Sequence, residues 1–119
     1  MMAAERSNAV LTKSFDVALP MIDLSRRLRD RREFVLSDQL LRAGTSIGAQ
    51  VEEAQAAQSR KDFASKMAIA SKEARETRYW LRLITASNIA GVDGNGDLGQ
   101  VDELIRIITA IVKTASRGR

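Results

Sequence analysis

Four carboxylates near mid-helix, Glu52, Glu53, Glu73 and Glu76, are the residues of this chain best suited to chemistry. A pair of them could share general acid and base duties, and a group of them could cage a metal ion. Ion pairing explains them better. Lys72, Arg75 and Arg42 are available partners, and such pairs fix helix register without any reaction. The segment Asp93-Gly94-Asn95-Gly96-Asp97 spaces oxygen groups at alternate positions, as a calcium-binding loop does. The rest of that motif fails, because the sixth position, which needs glycine, is Leu98, and the twelfth, which needs a bidentate glutamate, is Leu104. Aspartate, asparagine and glycine are also what a plain turn requires, so no metal and no cofactor is expected.

Composition narrows the chemistry further. The chain holds neither cysteine nor histidine. Their absence removes disulfides, thiolate zinc sites, cysteine nucleophiles, the Ser-His-Asp triad and the Glu-x-x-His di-iron bundle. No phosphate-binding glycine loop or nucleophile elbow is present either, and the chain is expected not to be an enzyme. A reducing cytoplasm suits a cysteine-free chain. The first eight residues lack the basic-then-apolar order of a signal peptide, and no apolar run approaches the roughly 20 residues of a membrane span. Lysine and arginine outnumber aspartate and glutamate by 19 to 15, for a formal charge of +4. That balance favours contact with polyanions.

The elements that must position these groups read as helices. Val10, Val17, Met21, Leu24 and Leu28, with Leu11, Ala18 and Ile22 beside them, recur at steps of three, four or seven. Pro20 lies inside this stripe and predicts either a bend near residues 16 to 20 or tolerance within a continuous helix. The arginine-rich stretch Arg26 to Arg32 closes the helix, where cations oppose the negative end of the macrodipole. A second stripe runs through Leu36, Leu40, Ala43, Ile47, Val51 and Ala54, with Ser37 or a neighbour as its N-terminal cap. Gly44 and Gly48 lie one turn apart on it. Each glycine costs a helix about 1 kcal/mol against alanine, so close approach of a neighbouring backbone, or a local break, must explain them.

Ser59 followed by Asp62 opens the best-defined helix with a variant of the capping box. Its seam is Phe63, Met67, Ala70, Ala74, Thr77, Leu81 and Ile84, a four-three alternation of the kind that builds a bundle. At about 100° per residue, Arg60, Arg75, Arg78 and Arg82 share one flank of that seam, and Ile69, Glu73, Glu76, Trp80 and Leu83 share the other. A monomeric bundle needs one apolar face per helix, so the second strip predicts an oligomer interface, unless a wide core absorbs it. Asn88 to Gly99 reads as a loop, followed by a fourth stripe of Val101, Leu104, Ile105, Ile108, Ile111 and Val112.

The predicted helices span about 8–30, 35–57, 60–87 and 98–115 of a single domain, residues 1–119. Short connections between four amphipathic helices give an all-α, antiparallel up-down four-helix bundle.

The residues also carry a family resemblance. Ser14-Phe15-Asp16, the run from Leu40 to Ala54 that includes Arg42-Ala43-Gly44-Thr45-Ser46-Ile47-Gly48, then Ser59-Arg60-Lys61-Asp62-Phe63 and Glu76-Thr77-Arg78-Tyr79-Trp80-Leu81, resemble the bacterial four-helix bundle family named for proteins encoded in 23S ribosomal-RNA intervening sequences. The chain departs at Gln50, where that family usually has asparagine, and in its longer glycine-rich loop. The resemblance implies a ring-shaped homo-oligomer, a homopentameric barrel with basic surfaces, in a family whose members mostly lack an assigned activity. A related branch, the accessory variability proteins of diversity-generating retroelements, associates with reverse transcriptase and nucleic acid.

The functional expectation is a basic oligomeric scaffold that contacts RNA or DNA phosphates through Arg60, Arg75, Arg78, Arg82, Lys113, Arg117 and Arg119. Repeating a modest patch around a ring multiplies its affinity. Only Tyr79 and Trp80 offer stacking surface, so base-specific reading is not expected. The alternative is a protein-interaction module, such as a reverse-transcriptase accessory subunit, that binds no nucleic acid itself.

Overall fold

The computed structural model describes residues 3–89 and 91–117. Four helices account for most of them: α1 (Ala3–Asp30), α2 (Phe34–Gln55), α3 (Arg60–Ala86) and α4 (Asn95–Arg117), with no strand among the described residues. Each helix packs on its neighbours in sequence, and α4 also returns to α1, while the diagonal pairs do not meet. The result is a four-sided bundle of 50 × 22 × 18 Å.

Its core is built from the predicted stripes. Met21, Leu24 and Leu28 of α1, Leu40, Ile47 and Val51 of α2, Met67, Leu81 and Ile84 of α3, and Leu104 and Ile108 of α4 are all fully buried. Thr77 is buried among them because its hydroxyl donates to the carbonyl of Glu73 at 2.8 Å, leaving no orphan polar group. Phe63, the first residue of the α3 seam, is only half-buried where the helix reaches the bundle's end.

Local chemistry explains most of the boundaries. Helix α1 runs through Pro20 without a break. Its end is a Schellman motif in which Glu33 N–H donates to the carbonyl of Leu28 and Arg32 N–H to that of Arg29, with Arg32 itself left-handed at φ 65°. The Ser59 cap of α3 accepts from Asp62 N–H at 3.0 Å, as the sequence predicts.

Three readings differ from expectation, the first being that α1 begins at Ala3, five residues before its expected start near residue 8. Ser37 does not cap α2, which begins at Phe34 after an N-cap Glu33 that makes no side-chain cap. Ser37 lies inside the helix, buried, and its hydroxyl donates to the carbonyl of Ser25 on α1 at 2.7 Å. Helix α4 begins at Asn95, so the second half of the glycine-rich segment is helical and not loop. Asp93 accepts from Asn95 N–H at 3.0 Å, and Gly94 N–H donates to the Thr85 hydroxyl at 3.3 Å. A contact with α3 thus starts α4 a full turn before its own apolar stripe does.

The α1–α2 seam uses both glycines of α2. A Cβ on Gly44 would stand 2.6 Å from Met21 Cγ and 2.8 Å from its Cβ, whereas one on Gly48 would stand 3.6 Å from the Ser14 carbonyl oxygen. Close approach therefore accounts for Gly44, and no local break occurs there. Along this seam Ser25 meets Ser37, Met21 meets Gly44 and Ser14 meets Gly48, so numbers fall in α1 as they rise in α2.

The two glycines should behave oppositely under urea denaturation. Gly44→Ala forces the stem of Met21 aside and should cost about 1–3 kcal/mol. Gly48→Ala meets only ordinary contacts and should gain up to about 1 kcal/mol from helix propensity.

Candidate functional site

The two flanks of α3 face the two helices beside it. On the α2 side, the Arg42 guanidinium reaches Glu73 at 3.3 Å through one nitrogen and Glu76 through the other. Trp80 Nε1 donates to the same Glu76 carboxylate at 2.9 Å, and the Tyr79 ring stands edge-on to Trp80, with centroids 5.2 Å apart. Glu73, Glu76 and Trp80 thus form a polar clasp within one chain that holds α2 against α3. Of the five residues predicted as an interface strip, Ile69 and Leu83 are the ones that stand exposed and apolar.

The four mid-helix carboxylates do not converge. Glu52 and Glu53 lie about 15 Å further along α2 from Arg42, both exposed and without an ion-pair partner among the described residues. Of their expected partners, Arg42 is engaged, while Lys72 and Arg75 are in no ion pair among the described residues. No group of three or more acidic side chains among the described residues is arranged to hold a metal ion.

On the α4 side, the arginines form a stripe along α3 about 33 Å long from Arg60 to Arg82, longer than a single patch. Arg78 is spoken for, because its Nε lies 2.9 Å from Asp102 of α4. Arg60, Arg75 and Arg82 are exposed and have no ion-pair partner among the described residues. Lys113 is exposed on α4 in the same condition, Arg117 is exposed at that helix's end, and Arg119 lies outside the described residues.

Arg106 was missed. It is exposed, stands one turn beyond Asp102, and has no ion-pair partner among the described residues. At about 100° per residue, Asp102, Arg106 and Lys113 fall within a narrow arc of α4, so this cation joins the α3 stripe. A wheel of the fourth helix would have found it, once the seam with α3 was known.

The acidic segment before α4 has a different role from a calcium loop. Its Asp93 orders the turn, as above, and Asp97 sits half-buried in the first turn of α4. Burial raises the Asp97 carboxyl above its ordinary value, Arg27 works against that rise, and Asp23 and Asp93 add to it. Arg27 is anchored here, donating to the carbonyl of Gly91.

Comparison with known proteins finds both a family model and a solved structure similar to this chain. A family model described as 23S rRNA-intervening sequence protein matches residues 6–110. The crystal structure of a protein with unknown function from the S23 ribosomal protein family of Bacteroides thetaiotaomicron shares the fold, with a TM-score of 0.83 and 40% sequence identity. The alignment covers 91% of this chain and 98% of that one. Nothing among the curated proteins matches. No helix among the described residues is long and apolar enough to cross a membrane.

The raised carboxyl has a measurable sign. An acid whose folded pKa is raised binds more protons folded than unfolded, so the stability it contributes is present at low pH and lost as pH rises through the folded value. Asp97→Asn should remove that fall, so the variant's urea midpoint should gain on the wild type's as pH rises across the carboxylate range. A wild-type midpoint that rose through this range in the same way as the variant's would contradict the assignment.

Proposed function

The chain belongs to the 23S rRNA-intervening sequence protein family, and on that premise we propose a basic, non-enzymatic, oligomeric scaffold that binds RNA or DNA by its phosphates. Membership supplies a fold and no activity, since the solved relative is itself described as having unknown function. The surface chemistry has to carry the rest.

One observation carries the reading. Arg75 and Arg82 of α3, with Arg106 and Lys113 of α4, are exposed without intrachain ion pairs, and the carboxylate set among them, Asp102, is already held by Arg78. Uncompensated cations along a rigid rod suit a phosphate backbone, which presents a charge every few ångströms. Tyr79 is exposed, but Trp80 is tied to Glu76, so stacking on bases plays little part. Binding should therefore be insensitive to sequence.

The assembly belongs to the same proposal. We read the bundle as antiparallel and up-down, supported by the opposed numbering along the α1–α2 seam and by the contacts of Thr85 with Gly94 and Arg78 with Asp102 between α3 and α4. We read the working form as a closed ring, a homopentamer on the family resemblance, with the exposed Ile69 and Leu83 supporting burial against another subunit. A cytoplasmic setting fits a chain without cysteine. A protein partner such as a reverse transcriptase is the competing occupant of the basic surface.

Salt titration of binding to a short RNA and a short DNA, followed by fluorescence anisotropy, tests the proposal. Affinity should fall log-linearly with salt, and the combined change Arg75→Gln, Arg82→Gln and Lys113→Gln should flatten the slope by about 2 to 3, at roughly 0.7–0.9 for each phosphate no longer neutralised. Arg78→Gln alone should change it less, because Asp102 already takes that charge. Assembled protein that retains neither polymer at low salt would hand the basic surface to a protein partner.

A further inference from the structure

The α1–α2 side of the bundle carries an apolar strip that the core packing does not use. Phe15 is 63% exposed and Leu19 53% exposed, one turn apart on α1, with Leu41 exposed on α2 near the height of Leu19 and Phe34 exposed further along, under the Arg29 guanidinium. Large apolar groups grouped in this way on an otherwise charged surface mark a contact. From this strip we infer that the subunits join head to tail, the α1–α2 side of one copy docking on the outer face of α3 of the next. The inference rests on the oligomeric reading above and adds to it the identity and polarity of the joint.

Charge complementarity selects a second copy as the occupant. Among the charges of α2, Asp38 pairs with Arg29 of α1 and Arg42 pairs with Glu73 and Glu76, which leaves Glu52 and Glu53, both acidic. Among those of α3, Asp62 pairs with Lys66, Arg78 with Asp102, and both glutamates with Arg42. What α3 has left over is basic, and apart from Arg60, Arg75 and Arg82 on the α4 flank it is Lys61 and Lys72, which lie toward the side of Leu83. Each helix satisfies its minority charge internally and presents the other sign outward, so α2 and α3 are matched surfaces on one chain.

The apolar groups also match in height. The Arg42 clasp sets α2 level with the Glu73 to Glu76 turn of α3, and the Gly48 contact sets Ser14 level with Gly48. Counting outward at about 1.5 Å per residue along oppositely directed helices puts Phe15 level with Ile69, Phe34 level with Leu83, and Glu52 within a turn of Lys61. Two copies side by side at equal height would therefore set apolar against apolar at both ends of the strip, and acid against base beyond it. The two faces lie on adjacent sides of the bundle and not on opposite ones, so repeating the contact at equal height curves the assembly and closes a small ring instead of an open fibre.

A mixing experiment tests the joint. Phe15→Glu with Leu19→Glu disables one face, and Ile69→Glu with Leu83→Glu disables the other; all four positions are exposed, and circular dichroism verifies each fold. If a glutamate pair unfolds the chain, the corresponding serine pair takes its place. Wild type should sediment as a ring and each variant alone as a 13.1 kDa monomer. An equimolar mixture of the two variants should form a heterodimer and nothing larger, because each keeps one intact face of the opposite kind. A wild type that is itself monomeric would overturn the ring and the joint together. A wild-type ring with a variant that still assembles alone, or with a mixture that stays monomeric, would overturn the joint and leave the ring standing.

Discussion

The close approach where Gly44 of α2 passes Met21 of α1 is the constraint on which the remaining geometry depends. With no side chain at Gly44, the two helices close until the buried Ser37 hydroxyl can reach the Ser25 carbonyl, and that bond fixes their height as well as their distance. A slip of one turn toward Leu40 would bring a Cβ against Met21, and a slip in either direction would take Ser37 away from the Ser25 carbonyl, penalties of the kind a marginally stable domain cannot absorb. The close seam also decides what is left outside. Phe15, Leu19 and Leu41 stand outside it, turned away from the buried stripes of their helices.

Charge is divided by the same packing. Seven ion pairs are formed among the described residues, and those between helices join α1 to α2, α2 to α3, α3 to α4 and α4 to α1, one set for each side of the bundle. Most of these side chains are partly exposed, so the pairs add little stability and serve mainly to specify which helix lies beside which. The consequence for function is in the remainder. The excess of positive charge sits on α3, where seven cations face three acids that are already engaged, while α4 is balanced and α2 keeps its surplus acid.

Much of this was legible in the residues. The α3 seam from Met67 to Ile84 is buried as its spacing requires, and Ser59 caps that helix, because a helical period and a hydroxyl at its start are local properties. Two of the misreadings share one cause. Ser37 and the Asn95 start are set by partners on other helices, Ser25 and Thr85, and a local signal for a cap or a loop cannot register a partner twelve or nine residues away. Arg106 was overlooked for the same reason, since its meaning depends on Asp102 facing Arg78.

The amino-acid order by itself determined that four amphipathic helices must form, which residues line their common core, and that neither thiol nor imidazole chemistry is open to the chain. Periodicity and composition act within one element, so they need no knowledge of its neighbours. Only the tertiary structure decided which charges are consumed and which remain, that Glu73, Glu76 and Trp80 form the clasp around Arg42 and its α3 partners, and that Phe15 and Leu19 stand in water. Those outcomes depend on which flank of each helix meets which neighbour, and a helical wheel fixes the flanks of one rod without saying what stands opposite them.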